Sequence, residues 1–422
     1  MRSSFGWACA WFLSAGLFGL ARGGVSELML HRALLSQPAA APAPRAAEAP
    51  FPAWMIPATR ISWYVGSASI PGMSQSAVQD DNGNWVDPQT GRRYANADNP
   101  ATAGAGVLQF DLLQASNNFV AVSARNWLTL DVNGSLTSSF ITGYAGDARS
   151  IGDYWMNPAV LLAMPEQNEG GLIVRRRDYP LNGRNYKAIA IQNSAGGSYQ
   201  RMTYDLETGL LLVGSGRTVG AAQRQIGPNG QIFTGEGVTT ITSTVLQDLR
   251  QMQLPWANDP APNFVRQNWQ AQYKGTHATA IPGTEGLNIP PSQLDVVATA
   301  TRVDERAVVL KYQTSVQAPY AQPQQSETAR CTGAAMIGGL WINPRSLAQL
   351  QPGAVIDEDR ITRVRTSFVG VQNNIATIVE QSVNDSMAYS YDMQSGLLVG
   401  AASQQKSGVA TMTAQVQLVG QR

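Results

Sequence analysis

Tyr204-Asp205-Leu206-Glu207-Thr208-Gly209-Leu210-Leu211-Leu212-Val213-Gly214 returns, one residue shorter, as Tyr391-Asp392-Met393-Gln394-Ser395-Gly396-Leu397-Leu398-Val399-Gly400. Both stretches place an Asp three residues before a hydroxyl side chain and four before a Gly. The Asp carboxylate can accept forward from backbone N–H groups, and Gly supplies the left-handed residue that closes a tight connection, so each stretch reads as strand, turn, strand. A third copy of the turn, Asp87 to Gly91, reads the same way, and Asn-Gly pairs at 82–83, 133–134, 182–183 and 229–230 add further tight turns.

Working outward, other landmarks recur in the same order. Trp155-Met156-Asn157-Pro158 matches Trp341-Ile342-Asn343-Pro344, and Phe110-Asp111 matches Leu294-Asp295. Pro52-Ala53-Trp54 and Tyr64-x-Gly66 match Pro262-Asn263-Phe264 and Tyr273-x-Gly275. The spacing is too long for a solenoid repeat and implies a duplicated unit, either two tandem domains or one pseudo-symmetric body with a shared core. The units are residues 51–252 and 262–422, joined by a Pro-rich linker at 253–261. The first carries insertions at about 73–99 and 217–233. Shared segments build the common scaffold, so an activity particular to this chain is expected on the insertions or between the copies.

Val308, Leu310, Tyr312 and Thr314 alternate with Val309, Lys311 and Gln313, and Thr239, Ile241, Ser243 and Val245 keep the same period of two, which marks half-buried strands. Helix is scarce. The best starts are Asn157-Pro158 and Asn343-Pro344, with Asn as N-cap and Pro as first helical residue, and another short helix is expected around Leu246 to Met252. The expected fold is mainly β: two tandem related antiparallel β-rich domains, each with a short helix after an Asn-Pro N-cap.

Arg2 followed by an apolar run from Phe5 to Leu20 and the small residues Gly19 and Ala21 reads as a secretory signal over 1–23. An Ala/Pro-rich tether follows over 24–50. The chain is therefore expected to be exported, to the periplasm or outside the cell, with no transmembrane span in the mature part. Cys9 lies in the signal, which leaves Cys331 as the mature cysteine, expected buried and inert.

Charged residues make up 14% of the 422, against roughly 25% for an ordinary soluble domain, and the net charge is +1. That balance gives no electrostatic footprint for nucleic acid or an anionic membrane. Two His and two Cys exclude a His-cluster metal site and a cysteine-rich zinc domain, and no cofactor is expected. Gly214-Ser215-Gly216 departs from the G-x-G-x-x-G spacing of a phosphate cradle and lacks a following helix. Asp80-Asp81-Asn82-Gly83-Asn84 lacks the alternation and distal Glu of a calcium loop and reads as a polar hairpin tip. The Asp357-Glu358-Asp359 run reads as a solvated turn, and Arg175-Arg176-Arg177 as a wet sheet edge.

Trp155 and Trp341 hold the same landmark and are expected to fill equivalent cores. Trp85 sits in the first insertion between two turns, where a core role is less natural. His277 is the one histidine of the mature body and lies beside a local two-residue addition. The candidate ligand or partner contacts are Asp81, Asn84, Trp85, Asp87 and His277. The sequence points to an exported, non-enzymatic protein of bacterial type that binds a small apolar ligand or an envelope protein. Its alternatives are a carrier holding a lipid or other apolar molecule in a half-open β-sheet or barrel, and a secreted hydrolase using a carboxylate pair.

Overall fold

Asp205 and Asp392 build the turns that the repeated stretch requires. Asp205 Oδ2 accepts from the Thr208 backbone N–H and hydroxyl, and Asp392 Oδ2 accepts from the same two groups of Ser395. Gly209 and Gly396 follow at φ +75° and +71°. A Cβ on Gly209 would overlap the Met156 carbonyl oxygen, and one on Gly396 the Ile342 carbonyl oxygen. Gly209→Ala and Gly396→Ala are therefore each expected to cost about 1–3 kcal/mol, read as a lowered melting temperature. Gly183 is also left-handed, at φ +74°, but has nothing within 4 Å of the Cβ position. Gly183→Asn, at this open tip, is expected to leave the melt nearly unchanged.

The computed structural model describes residues 51–71, 78–79, 84–86, 93–96, 104–116, 119–129, 136–146, 149–195, 198–219, 224–226, 232–234, 238–281, 290–319, 321–407 and 410–422. The expected signal and tether lie outside them, as do the turns at 82–83, 87–91, 133–134 and 229–230.

The first half forms one ten-stranded antiparallel sheet from β1 (Thr59–Pro71), β2 (Gly104–Ser116), β3 (Phe119–Thr129), β4 (Leu136–Gly146), β5 (Gln167–Glu169), β6 (Leu172–Leu181), β7 (Arg184–Ala195), β8 (Ser198–Asp205), β9 (Leu211–Val219) and β10 (Val238–Gln251). Its order is β5-β6-β7-β8-β9-β10-β1-β2-β3-β4. The second half forms another ten-stranded sheet from β11 (Gln270–Ala280), β12 (Ser292–Val303), β13 (Ala307–Gln317), β14 (Gln324–Gly333), β15 (Val355–Glu358), β16 (Arg365–Gln372), β17 (Ile375–Gln381), β18 (Asp385–Asp392), β19 (Leu398–Ser407) and β20 (Ala410–Gln421). Its order is β15-β16-β17-β18-β19-β20-β11-β12-β13-β14, the first order with ten added to every label. Short strands at 78–79, 84–86 and 93–96 form a small separate sheet, and 224–226 pairs with 232–234.

The two short helices start where the Asn-Pro pairs place them. Helix α1 (Pro158–Ala163) is capped by Asn157, whose side chain accepts from the Ala159 N–H. Helix α2 (Pro344–Ala348) is capped by Asn343 through the Arg345 N–H. Trp155 and Trp341 are both buried beside these caps, bridged to Leu210 and Leu397 respectively. Arg176 is exposed at the outer margin of β6, and its guanidinium bonds the Leu162 and Met164 carbonyls at the end of α1.

Two expectations change. The stretch from Leu246 to Met252 is not helical: through Gln251 it is the end of β10. Both faces of that strand are covered, with Leu246 and Asp248 both buried, so its composition lost the alternation that marks a strand with one wet face. The match of Tyr64 with Tyr273 also slips by one residue. Trp63 faces Leu246 immediately after a bulge, and Tyr273 faces Leu418 immediately after the equivalent bulge, so Tyr273 stands in the place of Trp63. From there Leu108 corresponds to Val296, and Asp111 to Thr299 rather than Asp295.

Ile61, Trp63, Phe110, Leu112 and Leu246 point into the first half's own core with Trp155. The opposite side of β1, β2 and β3 is turned to the second half. Ala58, Leu113, Ala121 and Met252 pack in one continuous core with Trp256, Leu310 and Trp341, so the halves share an interior. The central strands of the second sheet stay half-open: β20 has no buried residue and β11 alternates buried with half-buried ones.

Candidate functional site: the face between the two sheets

Paired strand residues point to the same side of a sheet, so register identifies which side chains share a face. On the second sheet, Ser292, His277, Ala414, Ser403, Met387, Glu380, Thr366 and Asp357 form one unbroken cross-strand row over eight strands. The next row on the same face runs Gln324, Val316, Leu294, Gly275, Val416, Ala401, Tyr389, Ile378 and Phe368. This is the face onto which the first half is laid: β4 lies against β14 and β19, and β3 against β14.

Where the halves meet, the face is strongly ionic. Arg60 grips Asp111 with two parallel bonds, Nε to Oδ1 at 2.6 Å and Nη2 to Oδ2 at 2.8 Å. It also reaches across to Asp359 in the second half at 3.3 Å. Arg250 makes its own paired contact with Asp357, both bonds at 2.7 Å, and a third with Asp359 at 3.0 Å. Asp359 Oδ1 accepts in turn from the Ile361 and Thr362 backbone N–H groups and the Thr362 hydroxyl. At the margin, Arg360 pairs with Asp248.

A second centre is tied to the first through Gln109 and Trp127. Gln109 donates to Asp359 and accepts from the Trp127 indole, and the Arg125 guanidinium lies 5.3 Å from the Trp127 ring. Arg125 then crosses to Glu380 with bonds of 2.7 and 2.9 Å, and the Tyr389 hydroxyl donates to the same carboxylate at 2.6 Å. Paired bonds between a planar guanidinium and a carboxylate are the strong, geometrically specific form of this contact. They fix the angle as well as the distance between the sheets.

The charges shape one another. Burial alone would push the Asp359 carboxyl up, but the Arg60 guanidinium, the Thr362 N–H and Arg250 hold it well below the usual carboxylate range. Glu380 follows the same pattern: burial raises it, and Arg125 with the Tyr389 hydroxyl brings it below its ordinary value. Burial pushes the Tyr389 phenol up, reinforced by the Glu380 charge. A carboxyl depressed in the folded state stabilises the fold above its unfolded pKa, about 4, and the contribution is lost as pH falls further. Stability in urea is therefore expected to drop below about pH 4, after a smaller decline below about pH 6.5 from His277, whose imidazole burial holds below its ordinary value. Asp359→Asn should flatten that acid limb, costing clearly less at pH 3 than at pH 7.

The sequence candidates that the structure describes lie on different sheets. Asp81 and Asp87 lie outside the described residues. Asn84 and Trp85 lie on the short strand Asn84–Val86, where Asn84 pairs with Asn96 and Trp85 with Gln79. His277 is 6% exposed in β11, at the far end of the polar row, and burial holds its imidazole below the ordinary value. Cys331 is buried, and burial pushes its thiol up to about 12, which keeps it protonated.

The residues that the sequence reading missed are those of the ionic centre. Asp357 and Asp359 do not form a solvated turn: they are buried, because Arg60 and Arg250 arrive from the other half. Among the described residues, no group of three or more His, Cys, Asp or Glu side chains is placed to share a metal ion, and no helix is long and apolar enough to cross a membrane. The chain matches no protein-family model and no curated protein sequence.

Proposed function

We propose that the chain is an exported, non-enzymatic protein of bacterial type that binds a ligand or partner at the cell envelope or outside the cell. The observation that carries this reading is the condition of the ionisable groups between the sheets. Asp111, Asp357, Asp359 and Glu380 each have both carboxylate oxygens engaged by donors. That saturation suits holding two sheets in register and does not suit proton transfer to a substrate. Export rests on Arg2 and the apolar run from Phe5 to Leu20. The test is a panel of ester, glycoside and peptide substrates. Turnover by the intact protein that disappears in His277→Ala or Glu380→Gln would overturn the reading.

The carrier alternative is favoured by a separate observation. Beyond the ionic centre, the covered face of the second sheet carries Leu294, Val296, Met412, Ala414 and Val416, all half-buried, with Val316 and His277 buried beside them. Such a face, neither fully packed nor freely wet, suits an apolar guest. Native mass spectrometry before and after organic extraction decides the matter. An extractable mass supports the carrier, and a bare sequence mass counts against it.

The first insertion is the proposed partner-contact segment. β1 and β2 already pair from Arg60–Asp111 to Ser67–Gly104, and the second sheet joins the same two strands with residues 281–291 alone. Deleting Met73 to Asn99 is expected to leave the melting transition within a few degrees of wild type while abolishing partner capture. Loss of the transition would make the segment part of the scaffold.

A further inference from the structure

Three buried or half-buried arginines between the sheets, Arg60, Arg125 and Arg250, are each met by a carboxylate in paired geometry. Arg330 is treated differently. It lies on β14 opposite Leu310, on the same covered face as Tyr312, Thr314 and Val316. Its guanidinium lies 4.9 Å from the Tyr312 ring centroid, and its Nε is buried without an acceptor. Four residues earlier on the same face of the same strand, the Ser326 hydroxyl is also buried without a partner.

No counter-ion is supplied by the strands that lie against this place. β3, β4 and β13 contain no Asp or Glu at all, and the single acid of β14, Glu327, is exposed on the opposite face, paired with Lys311. A cation held against an aromatic ring has its orientation fixed while its N–H edge remains available for a planar anion. Burial pulls the Arg330 guanidinium below its ordinary value, only partly offset by Tyr312. Two unmet donors on a strand whose covered face is polar, with Val316, Leu294 and Val296 on the neighbouring strands, describe a place for an anionic head with an apolar tail beside it.

We propose that Arg330, stacked on Tyr312 and aided by Ser326, binds the carboxylate of a single-chain amphiphile whose tail lies along Val296, Leu294 and Val316. This rests on the carrier reading and adds the charge of its ligand.

The test uses the full chain after organic extraction, titrated calorimetrically with dodecanoate, dodecanol and acetate. Dodecanoate is expected to bind, acetate not to bind, and Arg330→Met to weaken dodecanoate at least tenfold while leaving dodecanol unchanged. Ligand-free Arg330→Met should melt no lower than wild type, because it removes a charge that has no carboxylate partner among the described residues; a purely structural arginine would lower the melt. If Arg330→Met does not fold, Arg330→Gln serves, with the same tenfold loss expected. Dodecanoate binding that is indifferent to these changes, no tighter than dodecanol, or absent overturns the proposal. The carrier reading survives that outcome if native mass spectrometry returns an extractable neutral molecule, and falls with it if no mass is extracted.

Discussion

Arg60→Leu is expected to lower the stability of the chain by about 3–5 kcal/mol, measured as the urea midpoint at pH 7. The residue is 3% exposed and, among the described residues, is the one cation that bonds Asp111. Removing it leaves a buried carboxylate with nothing opposite, and takes from Asp359 one of its three side-chain donors in Oδ2 contact. Losing one partner of a buried pair costs far more than the pair contributes when intact, since the survivor keeps its desolvation without its compensation. The companion change is therefore informative. Arg60→Leu combined with Asp111→Leu should recover most of the loss, because no buried charge is then stranded at that end. The effect should also persist in high salt, where exposed pairs fade. A single-substitution loss below about 1 kcal/mol would mean that water reaches the pair.

Arg125→Ala carries the second large effect, again about 3–5 kcal/mol. Two bonds to Glu380 and the stack on Trp127 disappear together, and Glu380 is left buried with only the Tyr389 hydroxyl bonding it. Glu380→Gln keeps the shape and should cost less. The cycle formed by Arg125→Met, Glu380→Leu and their combination is expected to show a coupling of about 1–3 kcal/mol. Coupling near zero would show that the two sheets are held by their apolar contacts alone. Because the pair spans the halves, its loss should also make the two sheets unfold separately, read as a broadened or split calorimetric transition.

The parts of the fold legible in the sequence were those fixed by local chemistry. Asp205 and Asp392 mark their turns because a carboxylate three residues before a hydroxyl has one economical set of bonds. Asn157 and Asn343 mark helix starts for the same kind of reason. The ionic centre was not legible, because alternation only separates the two faces of a strand. In β1 the residues Arg60 and Ser62 alternate with Ile61 and Trp63, and the polar set reads as wet unless something covers it. What covers it is the second sheet, which no local pattern announces. A signal did exist in the comparison of the two halves: Arg60, Asp111 and Arg125 stand where the second sheet has Gln270, Thr299 and Gln313. Using it required the correct register, and the bulges at Ser62–Trp63 and Gln272–Tyr273 shift that register away from the match of Tyr64 with Tyr273. Arg330 escaped for a simpler reason, since a charged residue near the end of a strand is ordinary until its neighbours prove to hold no acid.

The strand order has a consequence for biogenesis. In each half the first strand lies in the middle of its sheet and receives one neighbour almost at once, but the other is the last strand made. Thr59 meets Gln251 across 192 residues, and Gln270 meets Arg422 across 152. Contacts at such separation form slowly, and until they do β1 presents a long open edge to any other chain. A polypeptide delivered amino-terminus first must therefore keep that edge guarded while most of the half is still arriving. Fragments ending before residue 238 lack β10 altogether, so they should emerge as aggregates or chaperone clients rather than as shorter versions of the fold.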